Sequence, residues 1–153
     1  MSLIQISARE HPIAYIGLSH RGPPSQIGPM FDALGEALSK SDLWRKTGAW
    51  AGIYGKDVDG SSLSYACCAY PLDAALPDGF ERVVLAPSAR TAIFMHRGPY
   101  RDLPKSWEWF SGEGLKSAGL TASGEPCAER YLNDPTDTAP EDLLTELSIP
   151  LGP

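Results

Sequence analysis

Two carboxylates stand where an acid is unusual. Glu108 lies inside Trp107-Glu108-Trp109-Phe110, a single acid among three aromatic rings. An acid beside aromatic faces can accept a cationic or polarised ligand. It can also have its pKa raised by its surroundings and serve in acid–base chemistry. Trp107 and Phe110 fit one helical stripe, so Trp109 must look elsewhere. The alternative for Glu108 is a boundary position on an amphipathic helix. Glu146 is the second case, an acid within the otherwise apolar run Leu143 to Ile149. Alternation along that strand sends Leu143, Thr145, Leu147 and Ile149 one way and Leu144, Glu146, Ser148 and Pro150 the other. A charge there is costly to bury unless paired, and the alternative is a solvated rim.

Other chemistries have weak signals. Cys67 and Cys68 are adjacent and Cys127 is distant, which suits buried thiols better than a disulfide framework. The histidines of the two His-Arg-Gly-Pro segments have no partners at metal-ligand spacing, so no metal site is expected. Neither a phosphate loop nor a strand–glycine–helix dinucleotide fingerprint occurs, and no cofactor is expected.

The elements that must position these residues come twice. His20-Arg21-Gly22-Pro23 recurs as His96-Arg97-Gly98-Pro99, 76 positions later. Tyr54 with Asp57 is echoed by Tyr131 with Asp134, and Tyr65-to-Pro71 by Leu144-to-Pro150. The pattern predicts one domain, 1–153, made of two β-α-β-β copies, 1–75 and 76–153. In the first copy, strands are expected over 2–7 and 13–20, ended by Gly22-Pro23-Pro24. A helix from about Ser25 follows, with Ile27, Met30, Phe31, Leu34 and Leu38 inward. A hairpin over Asp57-Val58-Asp59-Gly60 then joins strands 49–54 and 63–70. The second copy repeats this order with strands 81–85, 91–96, 127–132 and 143–149 and a helix over 100–118. A short helical turn is expected at Thr138-Ala-Pro140-Glu141. The fold class is α+β, with antiparallel sheets, helices on one face of each and a groove between the copies. That groove would carry Tyr65, Cys67, Glu146 and Ser148, with Cys67 taken as the counterpart of Glu146. Tyr54 and Tyr131 face the groove or are ordinary sheet aromatics.

Composition narrows the partners. Net charge is −6, from 19 acidic and 13 basic residues, with no Lys/Arg cluster, which argues against direct nucleic-acid binding. The first residues, MSLIQISARE, lack a basic region followed by an apolar run. No stretch approaches the roughly 20 apolar residues of a membrane span. A cytoplasmic location is the default expectation, and oligomeric state is not legible.

The segments YIGLSHRGPPSQIGPMFDAL (15–34), GIYGKD (52–57), AIFMHRGPYRDLPKSWEWF (92–110) and ERYLNDPTDTAPEDLLTELSIPL (129–151) resemble the gyrase-inhibitor-like small-molecule-binding family. The family also supplies effector-binding domains of bacterial transcription activators. The resemblance implies a groove for hydrophobic, often cationic ligands, sandwiched by aromatics and met by glutamates. It puts Glu146 at the family's strand-end glutamate, with Ser148 where an aromatic is usual, and Glu108 at the glutamate after the helix tryptophan. Glu129 and Tyr131 resemble further groove positions, beside Trp107 and Trp109. No DNA-binding region accompanies these segments, so sequestration or sensing is the expected role. Two alternatives remain. One is hydrolysis of reactive cyclopropane-containing natural products, with Glu108 and Glu146 as the catalytic carboxylates. The other is a protein-interaction module acting on DNA gyrase.

Overall fold

A computed structural model describes residues 3–153. Residue 2, where the first strand is expected to begin, lies outside them. The first unit spans His11–Ala86. It holds β2 (Ile13–Arg21), α1 (Gly28–Ser39), β3 (Trp50–Lys56), β4 (Ser62–Ala69) and β5 (Glu81–Leu85). The second unit joins Met1–Glu10 to Pro87–Pro153. It holds β1 (Gln5–Arg9), β6 (Ser88–Arg97), α2 (Leu103–Trp109), β7 (Cys127–Tyr131) and β8 (Leu144–Pro150). α2 runs on through a π turn (Phe110–Gly114) into α3 (Leu115–Ser117). The expected turn near Pro140 is a single 3-10 turn, Pro140–Asp142.

Each unit contains an antiparallel four-stranded sheet. β5 pairs with β2, β2 with β4 and β4 with β3 in the first. β1 pairs with β6, β6 with β8 and β8 with β7 in the second. The units therefore do not follow the boundaries 1–75 and 76–153. Each copy's opening strand is given to the other copy's sheet, β1 to the second unit and β5 to the first. A strand's backbone donors and acceptors are the same at every residue, so its own pattern does not name its partner.

Packing follows the apolar stripes. Ile16, Leu34, Leu38, Cys68 and Tyr70 form the core under α1, with Leu18, Trp50 and Phe80 packed against it. Under α2, Ile4, just before β1, joins Ala92, Leu103, Phe110, Leu115, Leu147 and Ile149. The inward stripe expected for the second helix is bent by its π turn. A Cβ at Gly114 would stand 3.0 Å from the Trp109 carbonyl oxygen and 3.1 Å from its ring. Glycine there lets the Trp109 indole lie back along the helix.

The repeated tetrapeptide is a turn. Gly22 and Gly98 have φ of +116° and +132°, a conformation glycine adopts at little cost. In both copies the histidine Nε2 meets the proline carbonyl, at 3.1 Å for His20 and Pro23 and 3.2 Å for His96 and Pro99. The arginine pairs with an aspartate in the connection between the last two strands of its β-α-β-β copy: Arg21 with Asp57 between β3 and β4, and Arg97 with Asp142 between β7 and β8 at 2.7 Å. Asp142 fills this role rather than Asp134.

Candidate ligand-binding site

Side chains directly opposite in an antiparallel ladder share a face. In the second unit this gives two rows across β6, β8 and β7 beneath α2: His96–Thr145–Tyr131, and Phe94–Leu147–Glu129. Glu129 is buried, 5% exposed. The Trp107 indole N–H donates to its Oε1 at 2.5 Å, and the Tyr131 hydroxyl donates to its Oε2 at 2.6 Å. Both oxygens act as acceptors, as those of an ionised carboxylate do. None of the ion pairs among the described residues includes Glu129. The anion is thus held by dipoles rather than by a cation.

Aromatic rings surround it. Tyr100 packs on Tyr131 with centroids 5.3 Å apart, and Trp107 on Phe110 at 6.0 Å. Phe94 lies 5.7 Å from Phe110 and 5.1 Å from Trp109. Burial, then the negative charges of Asp134 and Glu129, push the Tyr100 phenol above its usual value. Trp109 reaches the cluster from the side and keeps 36% of its surface exposed.

Of the residues expected to act together, Trp107, Trp109, Glu129 and Tyr131 are gathered here. Glu108 is exposed on α2. Glu146 and Ser148 lie on the opposite face of the sheet, where Glu146 stands between Met95 and Arg130 and accepts from Arg130 at 3.2 Å. Ser148 is buried between Ile93 and Ala128. Tyr65 and Cys67 belong to the first unit. The Cys67 thiol is buried, donates to the Ala51 carbonyl at 3.3 Å, and is pushed far up by burial. The ladder also corrects the pairing of the copies. Tyr65, between Ser19 and Ile53, is the counterpart of Glu146, and Cys67 that of Ser148. The repeat offset had shifted this strand by two residues, a shift that preserves the face and so leaves no trace in the alternation.

Tyr100, Phe94 and Thr145 were not singled out in the sequence. Tyr100 directly follows the repeated tetrapeptide and Phe94 sits two residues before it, which is the signal that could have found them. Thr145 carries no such signal.

Comparison with known proteins places the chain in a family. Residues 9–151 match the model of the GyrI-like small molecule binding domain. A DNA gyrase inhibitor of Erwinia billingiae is 28% identical over 136 residues, covering 82% of this chain and 86% of that protein. Among solved structures, SAV2435 bound to tetraphenylphosphonium superposes with a TM-score of 0.78 at 16% identity, covering 97% of this chain and 93% of that one. A hydrolase of Listeria innocua gives 0.59 at 14%, covering 97% and 91%. The two sheets with their single helices, and a match that spans nearly the whole chain, make this protein a member of the GyrI-like small-molecule-binding domain family.

Proposed function

We propose that the chain binds lipophilic cations against the helix side of the second unit's sheet, with Glu129 as the charge partner and Trp107, Tyr131, Tyr100 and Phe94 as the aromatic lining. One observation carries this reading: a buried carboxylate held by an indole and a phenol, with no basic side chain among the described residues paired to it. A bound cation would supply the missing counter-charge, and the ring faces would add cation–π attraction in a partly desolvated place. Its role would then be sequestration or sensing. The tetraphenylphosphonium held by SAV2435 is a suitable first probe.

The test is a calorimetric titration with tetraphenylphosphonium. Glu129→Gln keeps the shape and removes the charge, and should weaken binding by roughly tenfold or more, from the worth of a partly desolvated charge contact. Equal affinity for wild type and variant would sink the reading. The hydrolytic alternative depends on Glu108 and Glu146. With Glu108 exposed and Glu146 paired to Arg130 on the other face, neither supports turnover as well as Glu129 supports binding. Action on DNA gyrase rests on the Erwinia relative's name alone.

A further inference from the structure

Thr145 is fully buried, and its hydroxyl has no hydrogen-bond partner. Folding bears a cost for such a group, so its persistence calls for a use. Its neighbours across the ladder do not supply one. His96 on β6 has both ring nitrogens committed. The Pro99 carbonyl can only accept, so Nε2 carries the proton and donates to it at 3.2 Å. Nδ1 therefore accepts from the Ser106 hydroxyl, at 2.6 Å. On β7, Tyr131 directs its hydroxyl proton to Glu129. Thr145 thus stands beside the Glu129 site with a hydrogen bond still to make.

We propose that Thr145 is the second polar contact of that site, bonding an uncharged carbonyl, ether or hydroxyl group on the bound cation. This rests on Glu129 being the charge partner. Glu129 faces Leu147, two residues along β8 from Thr145. Diagonal neighbours of this kind are roughly 7–8 Å apart. The ligand's polar group should therefore sit about one aromatic ring away from its charge. Tyr131 connects the two points, since it caps one Glu129 oxygen and stands directly opposite Thr145. Its ring is only half-buried. Turning that ring aside would free a carboxylate oxygen and uncover the hydroxyl in one movement.

The first unit supplies an internal control. Ser64 lies between His20 and Tyr54 as Thr145 lies between His96 and Tyr131, and its hydroxyl is likewise buried without a partner. Beside it, Gly52 stands where the second unit has Glu129. The orphaned hydroxyl is common to both copies. The carboxylate that would bring a cation to it is present in one.

The experiment compares two probes by calorimetry: (4-acetylphenyl)triphenylphosphonium, with a ketone one ring from the charge, and (4-isopropylphenyl)triphenylphosphonium, of similar shape without it. Wild type should prefer the ketone by roughly five- to tenfold, the net worth of one hydrogen bond. Thr145→Val should erase that preference while still binding the isopropyl probe. Thr145→Ser should keep it, and Ser64→Ala should leave it unchanged. Equal affinities in wild type, a preference that survives in Thr145→Val, or one lost equally in Ser64→Ala would each overturn the proposal. If both probes bind equally yet Glu129→Gln weakens both, the cation reading stands and this inference alone falls. If neither binds wild type, both fall.

Discussion

Glu129 shows how little a residue's type says about its role without its neighbours. It is one of 19 acids, and its strand, Cys127–Tyr131, offers no strong alternation to mark which way it points. Its hydrogen bonds to Trp107 and Tyr131 are charge-assisted and therefore among the stronger kind. Trp107→Phe keeps an aromatic ring, though a smaller one, and removes the N–H, leaving Oε1 short of a donor. A stability loss of about 1.5–3 kcal/mol is expected by urea denaturation. A change within about 0.3 kcal/mol would mean that the carboxylate does not need the indole. The cysteines make the opposite point. Burial pushes Cys68 and Cys127 up to about 11 and Cys67 higher still. Since the thiolate is the nucleophile, on the order of a thousandth of Cys68 and Cys127 would be reactive at pH 8, and still less of Cys67. Iodoacetamide should leave the native chain largely unmodified and label all three thiols in urea. Rapid native labelling at Cys67 would contradict its assigned burial.

At the scale of elements, the repeated tetrapeptide is a scaffold device and not a catalytic one. Its glycine takes a backbone conformation that other residues reach only with strain, and its histidine ties the turn to the following proline. Gly98→Ala and Gly22→Ala should each cost about 1–3 kcal/mol. The nearest atom to an added Cβ is 3.8 Å away in both turns, so that cost is conformational and not steric. Gly28→Ala is the contrast. It opens α1 with nothing within 4 Å of an added Cβ, and should be neutral or gain up to about 1 kcal/mol. Denaturation curves for the three variants separate the cases. Equal losses at all three positions would rule out the backbone explanation. The π turn after α2 is the element-scale departure from copy one, whose helix has none. It follows directly on Trp109, where the aromatic cluster is being built.

Across the whole molecule, duplication supplied two scaffolds and one charged site. The row that carries Phe94, Leu147 and Glu129 in the second unit carries Leu18, Ala66 and Gly52 in the first. There Trp50 stacks on Phe31 with centroids 6.0 Å apart, so packed aromatic surface takes the place of a carboxylate and its donors. Titration with tetraphenylphosphonium should therefore give one site per chain. Two equivalent sites would show that Glu129 is not what confers binding. The exchanged first strands have a consequence as well. Ile4 precedes β1 near the start of the chain, yet packs with Phe110 and Leu147. Ile4→Ala should cost about 2 kcal/mol or more, and amide exchange should quicken across β6 and β8. Faster exchange confined to β2 and β4 would be inconsistent with that packing.

The repeat, the order β-α-β-β, the inward stripes of the helices and the glycine turns were all legible in the chain itself. Each depends on local preference: a period of 3.6 or 2, a proline without an N–H, a glycine free to take positive φ. Family membership was legible for the same reason, since the segments that carry it are contiguous. Tertiary structure alone decided which sheet receives β1 and β5, because any strand edge can pair with any other. It also separated Glu129 from Glu146. Alternation sorts a strand into two faces without saying which one a helix covers, and the helix chose the face of Glu129. Two of the expected site residues, Glu108 and Glu146, stand out because acids look out of place there in sequence. The acid at the centre of the aromatic cluster was recognised by resemblance, and its standing came only from the indole and phenol that packing brought to its two oxygens.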